Sequence, residues 1–148
     1  MSLLLTSMNS KQHKYDIAYL KMALEWAKLS HCKRKQVGAL IVKNRMIISD
    51  GFNGTPSGFD NCCEEDSGIT KWEVLHAEAN AILKVASSTQ SAAGATLYIT
   101  LSPCQQCSKL IHQAGIKRVV YSKDYKDTSG INFLEKAGVE TQYLPVND

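Results

Sequence analysis

His76, Glu78, Cys104 and Cys107 are the residues of this chain whose types and spacing could do chemistry together. One imidazole and two thiolates are the donor set of a zinc site. Three protein ligands leave the fourth tetrahedral position open, as catalytic rather than structural zinc sites do. Zinc in such a site lowers the pKa of a bound water from near 16 to about 7 and so supplies a nucleophile at neutral pH. Glu78, two residues from the imidazole, is then the proton carrier rather than a fourth ligand. The chemistry implied is metal-assisted hydrolysis.

The elements around these residues must bring them to one place. The Ala-rich run His76-Ala77-Glu78-Ala79-Asn80-Ala81-Ile82-Leu83 favours a helix with His76 and Glu78 in its first turn. Pro103 precedes a second helical run, in which Cys104 and Cys107, at i and i+3, share one face. Backbone N–H groups at two helix starts favour thiolates, a carboxylate and developing negative charge. A lone C-x-x-C would suit a redox pair or half of a structural zinc site equally well. The order H-x-E then P-C-x-x-C, each opening a helix after a strand-like run, selects the catalytic reading.

Further elements follow from periodicity. Tyr15 to Leu29 carries Ile17, Leu20, Ala23, Leu24 and Ala27 at helical spacing, so an amphipathic first helix is expected there. The runs from Val37 to Val42 and from Met46 to Phe52, joined by Lys43-Asn44-Arg45, predict a hairpin. A long loop rich in Gly, Pro, Asp and Asn runs from Asn53 to about Lys71. Strands are expected at 95–100, 119–121 and 139–144, with a helix over 130–137. The order α-β-β-α-β-α-β-α-β predicts an α/β fold: a three-layer α/β/α sandwich around a five-stranded mixed sheet with its opening hairpin antiparallel. Ligands of such sheets sit at the carboxyl ends of strands.

At 148 residues and 44% hydrophobic content the chain has the size of one domain. Residues 14–148 are assigned to it, and residues 1–13 to an N-terminal tail that in part resembles an expression scar. The net charge of +3, with Lys and Arg spread along the sequence, suits a nucleotide-sized anion and gives no sign of a nucleic-acid-binding arm. No apolar run approaches the ~20 residues needed to span a bilayer, and a cytoplasmic protein is expected. Five cysteines, two of them in the C-x-x-C, predict reduced thiols rather than disulfides. Trp26 and Trp72 are expected in the core or in subunit contacts.

The pattern H-x-E…P-C-x-x-C is the signature of zinc-dependent nucleobase deaminases. From roughly Tyr19 to Val139 the chain resembles the deoxycytidylate (dCMP) deaminases, in Gln36-Val37-Gly38-Ala39-Leu40-Ile41-Val42, Gly51-Phe52-Asn53-Gly54-Thr55-Pro56-Ser57-Gly58, His76-Ala77-Glu78, Gly94-Ala95-Thr96-Leu97-Tyr98, Ser102-Pro103-Cys104 and Gln113-Ala114-Gly115-Ile116. That resemblance implies hydrolysis of dCMP to dUMP and ammonia, a place in supplying dTTP, and zinc held by His76, Cys104 and Cys107 with Glu78 as proton carrier. It implies a substrate contact to the deoxyribose from Asn53 and one near sugar and phosphate from Tyr125, with the backbone near Ala77 and Ser102 orienting the base. It also implies a homo-oligomer, often a hexamer, activated by dCTP and inhibited by dTTP. Asn53, Gly54, Pro56 and Gly58 would line the regulatory site, with magnesium accompanying the triphosphate. Several relatives carry a second, structural zinc; Cys32 and Cys62 match two of its cysteines, and Cys63 or Glu73 would have to complete the set. The rival readings are a deaminase of another cytosine nucleoside, nucleotide or nucleic-acid base, and a non-catalytic zinc- or nucleotide-binding module.

Overall fold

A computed structural model describes residues 3–147; Met1, Ser2 and Asp148 lie outside the described residues. The elements are α1 (Leu3–Ala27), β1 (Gly38–Lys43), β2 (Met46–Phe52), α2 (Ala77–Ala86), β3 (Thr96–Leu101), α3 (Gln105–Gln113), β4 (Arg118–Lys123), α4 (Ser129–Lys136) and β5 (Glu140–Tyr143). This is the expected order. The strands form one mixed sheet, β2-β1-β3-β4-β5. β1 runs antiparallel to both β2 and β3, while β3, β4 and β5 are parallel.

The alternation along each strand sorts side chains to two helical layers. Leu40 and Val42 of β1, Tyr98 of β3 and Val120 of β4 face α1, where they pack with Tyr19, Leu20 and Ala23. Their neighbours Ala39, Ile41, Leu97, Ile99 and Val119 face the other way, onto Ala81 of α2, Ile111 of α3 and Leu134 of α4. Burying each large aliphatic side chain contributes about 1.5–3 kcal/mol. The period of two in β1, β3 and β4 therefore fixes a one-helix layer and a three-helix layer.

Asn44 and Arg45, with φ of 51° and 59°, both adopt the left-handed conformation between β1 and β2. Two such residues make a turn whose twist matches that of the strands, which is why the expected hairpin closes on Lys43-Asn44-Arg45.

One expectation needs correction here. The first helix begins at Leu3 rather than Tyr15, so residues 3–13 form its first turns and not an irregular tail. No Gly or Pro interrupts residues 3–27, so helix propensity carries the element back beyond its amphipathic part. Of the two tryptophans, Trp26 is half-buried on α1 and Trp72 is 93% exposed in the loop after β2, which leaves a subunit contact rather than the core as its expected place.

Candidate metal centre and substrate cavity

The parallel β3 and β4 end where α2 and α3 begin, and the chemistry collects there. His76 and Cys104 are the N-cap residues of α2 and α3, each with extended backbone (ψ of 157° and 173°) and no hydrogen bond from its own side chain to the helix. Their side chains are thereby free to turn toward one another. His76 Nδ1 lies 3.6 Å from Cys104 Sγ and 3.4 Å from Cys107 Sγ. Two donors held about 2.0 and 2.3 Å from a common ion at a tetrahedral angle lie about 3.5 Å apart, so the nitrogen and both sulfurs fit zinc.

In the metal-free site the electrostatics favour one of the two thiolates. Hydrogen bonds from Cys107 and then His76 pull the Cys104 thiol down to about 3, so it is a thiolate at neutral pH. Without metal the hydrogen bond to Cys104 and burial push the Cys107 thiol up, so zinc binding there would release its proton. His76 is raised chiefly by its hydrogen bond to Cys104, whereas Lys35 is near enough for its charge to oppose protonation. Glu78 is 3% exposed, and burial lifts its carboxyl to about 7. A carboxyl that titrates near neutrality beside an open metal position is suited to carrying protons in both directions.

These residues open onto a cavity of about 260 Å³. Its walls include His76, Ala77, Glu78 and Cys104 on one side, Leu101, Ser102 and Tyr125 at the strand ends, and Arg34, Lys35, Val37 and Asn53 before β1 and after β2. All the residues expected to touch substrate are present. Ser102 Oγ accepts the Tyr125 N–H at 2.8 Å, which holds the segment after β4 against the end of β3. The Lys35 ammonium stands 4.0 Å from the centre of the Tyr125 ring.

Asn53 lies in the wall with its side-chain amide bonded to neighbouring backbone. Its Oδ1 accepts the Val37 N–H at 2.9 Å and its Nδ2 donates to the Lys35 carbonyl at 2.8 Å. The amide is thus engaged in fixing the strand that carries Lys35. Gly54, Pro56 and Gly58 are not among the walls of this cavity.

Arg34, Lys35, Glu64, Thr70 and Val74 also line the cavity and were not singled out in the sequence. Lys33-Arg34-Lys35, three cations in a row immediately before β1, was the available signal. It corrects the view that the basic residues are evenly spread.

The remaining cysteines do not assemble as expected. Cys32 and Cys63 are joined in a disulfide, although reduced thiols were anticipated from composition. The compartment rule behind that expectation says nothing of geometry, and the fold buries both sulfurs against each other. Cys62 is exposed and points away, its Sγ 3.3 Å from the Glu64 carbonyl, so Cys32, Cys62 and Cys63 do not form a common set. The donor atoms that do come together are those of Cys32, Cys63 and Glu64.

Fold and site define a zinc-dependent hydrolase with a cytidine deaminase-like sheet. Residues 13–123 match the model for the cytidine and deoxycytidylate deaminase zinc-binding region. The chain is 39% identical to a deoxycytidylate deaminase of Mycobacterium phage D29 over 74% of its own length and 95% of the relative's. It is 35% identical to that of Enterobacteria phage T4, over 85% and 88% respectively. A crystal structure of the dCMP deaminase from cyanophage S-TIM5, in complex with dCMP and dUMP, superposes with a TM-score of 0.84 at 45% identity, covering 97% of this chain and 99% of that one. The chain belongs to the cytidine and deoxycytidylate deaminase family.

Proposed function

We propose that this enzyme hydrolyses dCMP to dUMP and ammonia. The observation that carries the reading is one cavity lined by His76, Cys104, a buried Glu78 and the cations Arg34 and Lys35, with Cys107 beside His76 at a zinc-ligand separation. His76, Cys104 and Cys107 would hold zinc, which would lower the pKa of a water and so make a nucleophile available for the cytosine C4. Glu78 accepts a proton from the attacking water and delivers it to ring N3, then takes the remaining proton of the new C4 hydroxyl and delivers it to the departing amine, which leaves as ammonia. Ala77 and Ser102 orient the base through their backbone. Leu101, Val37 and Val74 exclude bulk water from it. Arg34, Lys35 and Tyr125 take the sugar-phosphate end, and Asn53 acts on that end by fixing the backbone of Lys35.

The same reading extends to supply of dUMP for dTTP synthesis and to a homo-hexamer activated by dCTP and inhibited by dTTP, with magnesium on the triphosphate. Its support is the loop of Gly54, Pro56 and Gly58, which stands outside the catalytic walls and has Gly58 at φ of 86°. Such backbone lets phosphate approach closely.

The test is ammonia release from dCMP, dCTP, deoxycytidine and CMP by protein of known zinc content, with and without dCTP or dTTP. Preferential turnover of dCMP is expected, raised by dCTP and lowered by dTTP. Turnover of deoxycytidine alone would overturn the nucleotide assignment, and zinc-loaded protein inert on all four would overturn the enzymatic one.

A further inference from the structure

Cys32 lines the substrate cavity, and its sulfur lies 3.9 Å from the carbonyl oxygen of Asn53. Its disulfide partner, Cys63, lies 31 residues away in the loop between β2 and α2. The bond therefore ties two irregular segments, residues 28–37 and 53–76, across one wall of the cavity. Beside it Glu64 Oε2 accepts the N–H groups of Lys33 and Arg34 at 3.0 and 3.1 Å, bonds that are exposed to water. The covalent link thus backs the backbone that presents Arg34 and Lys35.

The metal ligands are held separately. Gly54 and Leu75 pair through their backbones at 3.1 and 2.8 Å, closing the loop just before His76, and Cys104 and Cys107 belong to α3. Loosening residues 60–71 leaves those anchors in place.

We propose that the Cys32–Cys63 disulfide is a reversible redox tether that sets the affinity of the cavity for its substrate, leaving the reacting centre intact. The inference rests on the deaminase reading for the identity of that substrate. Reduction by a dithiol breaks the S–S bond: two electrons and two protons pass to Cys32 and Cys63, which become thiols, and the dithiol leaves as its own disulfide. The wall then gains conformational freedom that substrate binding must remove again. By linkage, bound substrate protects the disulfide by the same factor by which the disulfide favours substrate.

The experiment compares zinc-loaded protein before and after reduction by a dithiol, with zinc content and thiol number assayed in each state. On reduction the KM for dCMP is expected to rise at least fivefold with kcat within twofold, and amide hydrogen exchange to quicken in residues 60–71 but not in α2 or α3. Saturating dCMP should slow reduction of wild-type protein. A Cys32→Ser, Cys63→Ser double variant should match the reduced enzyme and ignore the dithiol, while Cys62→Ser should behave as wild type. Equal KM in the two states, or exchange in residues 60–71 that does not change on reduction, would overturn the tether. Absence of turnover in both states with the exchange difference intact would instead strike the substrate assignment.

Discussion

Gly130, at the start of α4, sits so close to Pro103 that a Cβ on it would lie 2.1 Å from the Pro103 carbonyl oxygen and 2.9 Å from the carbonyl carbon of Cys104. The turn that presents Cys104 to the metal is thus seated on the first turn of α4. Gly130→Ala should force these backbones apart, costing about 1–3 kcal/mol of stability as overpacking does. It should also lower zinc affinity. Urea unfolding and competition for zinc with a chromogenic chelator check both; a variant with wild-type values for each would show that the contact can relax.

Glu78→Gln keeps the shape of the buried side chain but not its proton. Turnover of dCMP should fall by a factor of about 10² to 10⁴, the range for a positioned general acid-base, with zinc retained. In the metal-free protein the pKa of Glu78 rises from 4.5 to about 7 on folding, so its contribution to stability is fully present below 4.5 and is lost as pH rises through 7. Above pH 7 the metal-free glutamine variant should therefore be more stable than metal-free wild type by roughly 2–4 kcal/mol. Denaturation at pH 5 and pH 8 reads the difference; equal effects at both would contradict the raised pKa.

Asp16, on α1, accepts hydrogen bonds from Arg118 at 2.9 and 2.8 Å and from Tyr98 at 2.6 Å in the layer beneath the sheet. Burial pushes its carboxyl up, but the hydrogen bonds from Arg118, Tyr98 and Gln12 outweigh burial and hold it below 3.8. Its stabilisation is accordingly present above pH 3.8 and lost as pH falls through the lower, folded value. Asp16→Ala should cost about 1–3 kcal/mol at pH 7, because Arg118 and Tyr98 lose their hydrogen bonds to Asp16 while Arg118 keeps Glu140 and Gln142. The gap from wild type should narrow in acid, as followed by thermal melting from pH 7 to pH 3.

Lys35→Ala removes a cation from the cavity and the charge stacked on Tyr125. The KM for dCMP should rise about tenfold or more, while that for deoxycytidine, which has no phosphate, should move little. The wild-type KM for dCMP should also increase with salt more steeply than that of the variant. Parallel kinetics on the two substrates check this; equal losses on both would place Lys35 in the wall rather than on the phosphate.

What could be read from the sequence was what lies close along it. Cys104 and Cys107 are one helical turn apart, His76 and Glu78 share a helix start, and the short apolar runs of β1, β3 and β4 announce strands covered on both faces. The antiparallel pairing of β1 with β3 was not announced, since register between distant strands is set by packing. Nor was the meeting of Cys32 with Cys63, or of Lys35 with Tyr125, each pair joined only by the path of an irregular loop. Asn53 shows a subtler limit. Its position by the cavity was legible, but its amide could be assigned to the 35–37 backbone only once that backbone was in place.

The pairing of Gly54 with Leu75 separates the length of the intervening segment from the placement of His76. With both ends held together, insertion or deletion between them acts as a change at the tip of a closed stem, and its cost grows only slowly with the number of residues. A chain built in this way can lengthen or shorten the turns of that segment without recutting the reacting centre. Diversification is thereby confined to the surface between Cys63, Glu64, Thr70 and Val74, which keep their places beside the cavity.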